Sequence, residues 1–554
     1  MKSINCDVLV IGGGASGFSA GIQAARLGAD TIIIEETPWL GGMITAAGVS
    51  AFDGNKYALG GGIFGELRKM IEDYYGGPTK TFTGWISLTC FEPKIGEQFI
   101  RELVERERNL KVFYKSKFVK ALVEQKKVEG AIIKTNEEEI KINSKITVAA
   151  DEYGDFIAEC GIPYRLGRDS RNDTGEPDAP EKADDIFQDI TYCAILKKYK
   201  NKAPEVKPSK NYNPERFKCS LAEDCDSKDE YYLNHKLHNW ESFITYAALP
   251  NDKYLLNWPF RANDFHPTRS FYEKPKDRVL QISQAKELTL DYIHYIQTKL
   301  GHPEWGLAYD EFPTKDFLPF IPYIRESRRI KGMKLMREQD VIPKENSFRP
   351  PLVPDSIAVG DYFLDHHHSL AFLPPGKRLE EKLPANAPFQ IPYGSLIPID
   401  YDGIIVAEKS ISVTHIVNGC TRLQPVVILI GQAAGAAAAL ASSKNCQPRE
   451  LNISDIQKEL ILAGCQLFPY PDLYNTSSFF IVVQSLALKG IYIDEPDFKF
   501  KADKKITRET LEKILAASPF TDDHKKAIIE ESENLSRGEL FNLIAEKFYG
   551  YKKL

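Results

Sequence analysis

Three glycines set the first chemical expectation. Gly12, Gly14 and Gly17 follow the apolar run Val8-Leu9-Val10-Ile11 with the spacing G-x-G-x-x-G. That spacing suits a diphosphate. The first glycine permits a tight turn, the second lets the phosphates approach the backbone, and the third lets a helix pack against the strand. A helix follows, whose N-terminal free N–H groups and positive dipole end face an anion, with Ala15 and Ser16 among the glycines as further cofactor-binding candidates. Such a site needs an acid about 20 residues on for ribose hydroxyls. Glu35 ends the next apolar run, Thr31-Ile32-Ile33-Ile34, with Glu36 beside it as the competing candidate. An acid there disfavours a 2′-phosphate.

Other residue groups could do proton and hydride chemistry. Ile324-Arg325-Glu326-Ser327-Arg328-Arg329-Ile330 lies between apolar runs. Glu326 among arginines predicts an ion-pair network that fixes one guanidinium while another, such as Arg325, faces a substrate. Asp361-Tyr362-Phe363-Leu364-Asp365-His366-His367-His368 offers histidine beside carboxylate. That pairing suits a general base that removes a hydroxyl proton as hydride leaves the adjacent carbon. His366 is one candidate base and His415 another. Neighbouring side chains on a strand point to opposite faces, so only alternate histidines converge and no metal site is expected. Asn257, Trp258, Asn263 and Asp264 combine amides and a carboxylate with an aromatic platform, a set suited to hydroxyl-rich substrates such as sugars.

These groups need elements to position them. Residues 8–11 read as a strand, 18–27 as an Ala-rich helix and 31–34 as a second strand. Residues 97–108 read as an amphipathic helix, and 112–148 alternate in short runs as an antiparallel meander does. Residues 168–182 are polar with Pro and Gly, and read as a linker or exposed loop. Gly60-Gly61-Gly62-Ile63-Phe64-Gly65 reads as a close backbone approach, and residues 402–407 as a late strand.

Just past the acid, Trp39-Leu40-Gly41-Gly42-Met43-Ile44-Thr45-Ala46-Ala47-Gly48 brings a second glycine pair beside a bulky cofactor. With this run the chain resembles the two-dinucleotide-binding-domain flavoproteins. More closely, it resembles the FAD-dependent oxidoreductase family related to fumarate reductase and succinate dehydrogenase flavoproteins, whose bacterial members often sit among carbohydrate-degrading genes. The resemblance implies FAD extended across the first βαβ unit, with Gly41, Gly42, Met43 and Thr45 lining the diphosphate and flavin. It implies that the meander returns a strand to the main sheet near the adenosine. Gly154 and Asp155 keep the family's Gly-Asp there, while Ala149 replaces its usual acid. Gly431, Gln432, Ala433 and Gly435 are expected at a helix start whose dipole stabilises negative charge at the pyrimidine edge of the reduced flavin. Arg422, in a Gly-x-x-Arg-Leu context, falls where fumarate-reductase-like proteins carry a substrate-side arginine. Residues 479–491, 498–503 and 506–509 resemble one S-layer-homology repeat, with Thr507 as a helix N-cap.

A length of 554 residues suggests more than one domain. The expected fold class is α/β: a non-contiguous Rossmann-like FAD-binding domain (1–165 and 386–445), an inserted α+β substrate domain (166–385) and a helical C-terminal appendage (446–554). A net charge of −6 gives no basic surplus for nucleic acid or anionic lipid. Nine scattered cysteines without C-x-x-C read as reduced thiols rather than a disulfide framework. With the first strand entered by about residue 6, this leaves no room for a signal peptide and suggests a cytoplasmic protein. Residues 426–441, interrupted by Gln432, read as a buried helix rather than a membrane span. The expected function is an FAD-dependent dehydrogenase taking hydride from a CH–OH group of a sugar or polyol-like substrate. The alternatives are action on a C–C bond of a carboxylate, or a non-catalytic flavin-binding protein. The expected partners are a small-molecule substrate, an unidentified electron acceptor and, in an oligomer, further copies. No second nucleotide fingerprint points to direct NAD(P)H use.

Overall fold

Continuous apolar runs form strands that are covered on both faces, and this chain uses them for its central sheet. In the computed structural model, which describes residues 1–54, 56–226, 237–258, 261–368 and 384–550, β1 (Lys2–Ile11) leads through the glycine turn into α1 (Ala15–Arg26) and β2 (Thr31–Ile34). The helices α2 (Gly62–Tyr75) and α3 (Pro93–Glu105) follow. Four strands come next: β3 (Leu110–Phe113), β4 (Lys117–Glu124), β5 (Lys127–Lys134) and β6 (Glu139–Ala149). The sheet order is β3-β2-β1-β6-β5-β4. The expected meander is therefore β4-β5-β6, antiparallel within itself. Its last strand lies parallel to β1, with Val8 opposite Ile146 and Ile11 opposite Ala149.

The chain then leaves this sheet and builds another. Strands β7 (Ala194–Lys198), β8 (Ala248–Leu249), β9 (Lys253–Leu256) and β10 (Trp305–Leu307) form a four-stranded antiparallel sheet in the order β8-β9-β7-β10. The 24-residue helix α4 (Pro275–Thr298) packs against its edge. The return is made by β11 (Ile404–Val406), which lies parallel to the end of β6. Two helices follow, α5 (His415–Thr421) and α6 (Gln424–Lys444). Thr414 caps α5 by accepting from Val417 N–H, and Pro425 opens α6, so Arg422 lies in the joint between them.

Two expectations need correction here. Gly431 and Gly435 are not at a helix start; they lie inside α6. A methyl on either would run into the backbone carbonyl of Ser16 or Ala20 on α1. Two glycines four residues apart share one helix face, and that face lets α1 and α6 pack backbone to backbone. Gln432 bonds Gln23 and Ile63 N–H, so it too serves packing. The helix is apolar enough to cross a membrane by length and composition, and 89% of its most apolar stretch is buried within the fold. The second correction is to the thiols: Cys219 and Cys225 are disulfide-bonded, while the other seven cysteines are free. Gly61 and Gly62 make a close approach as expected, but toward Gly464 and Gln432, while Gly60 lies against the Leu429 and Phe64 side chains. Thr507 caps the helix Arg508–Ala517.

Candidate active site

At the end of β1, Gly12 has φ +95°, and a Cβ there would lie 2.5 Å from the carbonyl of Ala150 at the end of β6. Only glycine serves at this turn. A Cβ on Gly17 would meet the carbonyl of Gly12, so α1 can start only because that atom is missing. The Gly41–Gly42 turn folds over the same spot: a Cβ on Gly42 would lie 2.8 Å from Gly14 Cα. Met43 and Thr45 continue this turn and are buried beneath it. Gly12, Gly14, Ala15, Ser16, Gly17, Gly41, Gly42, Met43 and Thr45 are thus brought together. Glu35 joins them, its Oε2 accepting from Gly13 N–H at 2.8 Å and its Oε1 from Thr37 N–H at 2.7 Å. Burial pushes its carboxyl up to about 7 against those bonds. Glu36 is exposed. Asp155 stands further along, in ion pairs with Arg278 and Arg328. The two guanidiniums overcome the cost of burial and hold its carboxyl below the usual range.

The arginine cluster is buried, not a solvated face. Arg329 pairs with Glu326 and Asp169, and Arg328 with Asp155. Arg325 donates to Asp189 O at 2.8 Å and Thr191 Oγ1 at 2.6 Å, lies 3.3 Å from Asp264 Oδ1 and covers the Tyr323 ring. Tyr323 Oη accepts from Arg422 at 2.7 Å, and Arg422 reaches Asp365 Oδ2 at 2.6 Å. The gap between the two arginines is closed by a residue that sequence reasoning passed over. His367 Nδ1 is 2.8 Å from Asp264 Oδ2, and its Nε2 is 3.2 Å from Asp365 Oδ2. The result is a chain of alternating charge, Arg325–Asp264–His367–Asp365–Arg422. Burial and Arg325 disfavour the imidazolium, but the two carboxylates prevail and raise the His367 pKa above its ordinary value.

His366 and His368 lie on the other side of the extended chain, as alternation requires. Their rings are stacked at 5.7 Å, and each stacks on His415. Their roles differ. His366 Nε2 lies 3.0 Å from His415 O and 3.1 Å from Ile416 O; carbonyls only accept, so this nitrogen carries the proton and ties the loop to α5. Its expected role as base through Nε2 is corrected by that bond. His415 Nδ1 is 3.0 Å from Glu326, and its Nε2 is 3.3 Å from His368 Nε2. Glu326, itself fixed by Arg329 and Gln188 N–H, therefore orients His415. His368 is the second residue that the sequence reading missed.

Asp53 is the third. It is buried beside Arg422 and Asp365, its N–H donates to the side chain of Gln424 at the start of α6, and its Oδ1 meets no partner among the described residues. Burial pushes its carboxyl up to about 8. Asn257 Oδ1 and Asn263 Oδ1 are likewise buried without partners among the described residues. Trp258 stands in an aromatic group with Trp85, Tyr246 and His238. No group of three or more His, Cys, Asp or Glu among the described residues is arranged to hold a metal ion.

Comparison with known proteins matches residues 7–460 to the FAD dependent oxidoreductase family. Over 74 residues the chain is 38% identical to 4-oxocyclohex-2-ene-1-carboxylate 5-dehydrogenase of Sinomonas cyclohexanicum, covering 13% of this chain and 12% of that protein. Over 100 residues it is 31% identical to the probable fumarate reductase Ifc3 of Shewanella frigidimarina, covering 18% and 17%. The matches thus span less than a fifth of either relative's length. Among solved structures, it is similar to a geranylgeranyl bacteriochlorophyll reductase-like protein of Thermoplasma acidophilum, at 13% identity over 99% of this chain and 97% of the other, with a TM-score of 0.37.

Proposed function

This chain belongs to the family of FAD-dependent oxidoreductases, and from that premise we propose that it oxidises a CH–OH group of a sugar or polyol-like substrate. The residues fit FAD. Gly12, Gly14 and Gly42 converge without side chains, and Glu35, with two bonds accepted, keeps lone pairs for ribose hydroxyls. Ser50 Oγ and Asp53 Oδ1 are buried polar atoms with no partner among the described residues. Gly13, Ser16 and the Gly41–Gly42 turn would hold the diphosphate, and the region between Ser50 and Gln424 the flavin. Bound FAD supplies the two-electron acceptor.

The chain supplies the acid–base chemistry. The observation that carries the reading is the Glu326–His415–His368 chain. A carboxylate that holds Nδ1–H leaves His415 Nε2 as the basic atom, the same logic that orients a catalytic imidazole elsewhere. His415 with His368 takes the hydroxyl proton as the C–H bond yields its hydride. Arg325 and Arg422 add positive field where the oxygen gains charge. Asn257 and Asn263 offer unpaired amide oxygens to substrate hydroxyls, with Trp258 nearby as a platform.

A second reading, action on a C–C bond of a carboxylate, draws on the names of the two relatives and on Asp53, a carboxyl that burial keeps protonated near neutrality and able to donate. Against it, both arginines already hold carboxylates, Asp264 and Asp365, which a substrate carboxylate would have to replace. The seven free thiols favour a cytoplasmic setting, and the Cys219–Cys225 bond counts against it. The C-terminal helices, with their likeness to an S-layer-homology repeat, are read as a packing or oligomer element. The test is anaerobic: sugars, polyols and dicarboxylates are mixed with the flavin-loaded protein while flavin absorbance is followed. Bleaching by a sugar, lost in His415→Ala, supports the first reading. Reoxidation of dithionite-reduced flavin by an unsaturated dicarboxylate, with no bleaching by sugars, overturns it in favour of the second.

A further inference from the structure

The N-terminus of α1, where a diphosphate belongs, is already engaged by this chain's own carboxylate. Glu408 Oε2 accepts from Ser16 N–H at 2.9 Å and from Ser16 Oγ at 2.6 Å. Glu408 arrives from the turn after β11 with φ +58°, a left-handed backbone that side-chain-bearing residues rarely adopt. Its Oε1 pairs with Lys409 Nζ at 2.5 Å, and Lys409 reaches Glu152 Oε2 at 2.6 Å. The side chains of Glu408 and Lys409 are fully buried. Glu152 Oε1 is shielded from solvent, meets no partner among the described residues, and lies against the bare Cα atoms of Gly14 and Gly42. Two carboxylates and one ammonium thus stand in the cradle. A third carboxylate at the cradle, Glu35, is turned to Gly13 N–H and Thr37 N–H on its ribose side, and Asp151 and Asp155 face away into the short helix that follows β6 and toward Arg328.

We propose, resting on FAD as the cofactor, that Glu408 competes with the cofactor's diphosphate for Ser16, and that the Glu408–Glu152 pair takes up a proton as the diphosphate binds. The same two donors cannot serve a carboxylate and a phosphate oxygen at once. Lys409 can neutralise one carboxylate, and the second then faces the phosphates as a like charge unless it is protonated. Burial, with Glu408 as neighbour, raises the Glu152 carboxyl above its ordinary value despite Lys409. A diphosphate set against this carboxylate adds a further like charge, so cofactor affinity should rise as pH falls.

The test is binding, read by quenching of flavin fluorescence in protein stripped of flavin, from pH 6 to 8.5. The wild-type protein should bind FAD more weakly with each step upward in pH. Glu408→Gln should bind about 100-fold tighter at pH 8.5, as expected for removal of one like charge beside a diphosphate, with a flattened pH profile. Glu408→Gly, at ease at φ +58°, should behave alike and serves if the glutamine variant misfolds. Calorimetry of the wild-type protein in buffers of different ionisation enthalpy should count about one proton taken up per FAD at pH 8. Equal or weaker binding by both variants, an unchanged pH slope, or no proton uptake overturns the proposal. Absence of FAD binding by every protein at every pH overturns the cofactor reading itself, and shows as no isotherm rather than as unchanged ones.

Discussion

Asp264→Asn isolates the His367 chain. The substitution keeps the shape and the hydrogen bond from Thr191, and removes one of the two charges that flank the imidazole. In the wild-type protein, burial would raise the Asp264 carboxyl, but Arg325 and His367 bring it down to about 2. Breaking a buried ion pair by removing one partner costs about 3–5 kcal/mol. His367 keeps 21% of its side chain exposed, which favours the lower end. If the surrounding sheet unfolds as a unit of about 200 residues, each kcal/mol moves the midpoint by about 2–4 °C, so the loss is roughly 6–12 °C. The pH dependence carries the sharper test. His367 has a raised folded pKa, so its contribution is full below about 6.5, its unfolded value, and is lost as pH rises through the folded one. Asp264 has a depressed folded pKa, so its contribution is present above about 3.9 and is lost as pH falls toward about 2. The deficit of Asp264→Asn should therefore be greatest between about pH 4 and 6.5 and shrink toward pH 9. Thermal midpoints of both proteins at pH 5, 6, 8 and 9, with flavin bound, measure it. A deficit that stays flat from pH 5 to 9 would mean that Asp264 does not bias the charge of His367, and the alternating chain would be refuted.

Two further outcomes test the framework that holds the site. Gly431→Ala should destabilise by about 1–3 kcal/mol, because its methyl meets the backbone of Ser16, whereas Gly65→Ala, in α2 with open space around it, should stabilise by about 0.5–1 kcal/mol; denaturant midpoints decide both. Alkylation of the unreduced, unfolded protein should modify seven cysteines, and nine after reduction, as the Cys219–Cys225 bond requires; nine before reduction removes the disulfide.

What could be read from the sequence depended on whether the partners were local. The β1–α1–β2 unit was legible because a strand, three glycines and an acid recur at fixed short spacing. Strand β2 matches its expected range of 31–34, while α1 begins at Ala15, three residues earlier than expected, because the glycine turn leads straight into it. The Arg325–Arg329 cluster was legible as a network because Glu326 lies inside it. Gly431 and Gly435 were legible as glycines of consequence but not in their role. Their spacing of four, one helix face, signals close packing as well as a helix start. Asp53, His368 and His367 escaped because their partners lie far along the chain: Asp264 is 103 residues from His367.

The buried charges argue for a purpose beyond stability. Replacing a buried ionic group by apolar residues of similar volume is often neutral or stabilising, so a chain selected for its core alone has little use for Glu408, Lys409 and Glu152 at one spot, or for two arginines, two aspartates and a histidine at another. The rule-breaking positions are not scattered. Glu408 with its left-handed backbone meets α1 at one end of the cofactor cradle, and Asp53 with its orphaned oxygen meets α6 at the other. Local rules fail together where function makes demands that packing does not. The two helices that carry these ends are locked to each other by Gly431 and Gly435. A change at the Ser16–Glu408 contact therefore has a rigid route to Gln424, Asp53 and Arg422. If Glu408 yields to the diphosphate, the altered charge is felt along a framework that cannot absorb it by sliding, and the Asp53 side of the site should report it. In the Glu408→Gln protein with FAD bound, the pH dependence of flavin absorbance assigned to Asp53, identified by its loss in Asp53→Asn, should shift relative to the wild-type protein; an unshifted profile would show the two ends to be independent.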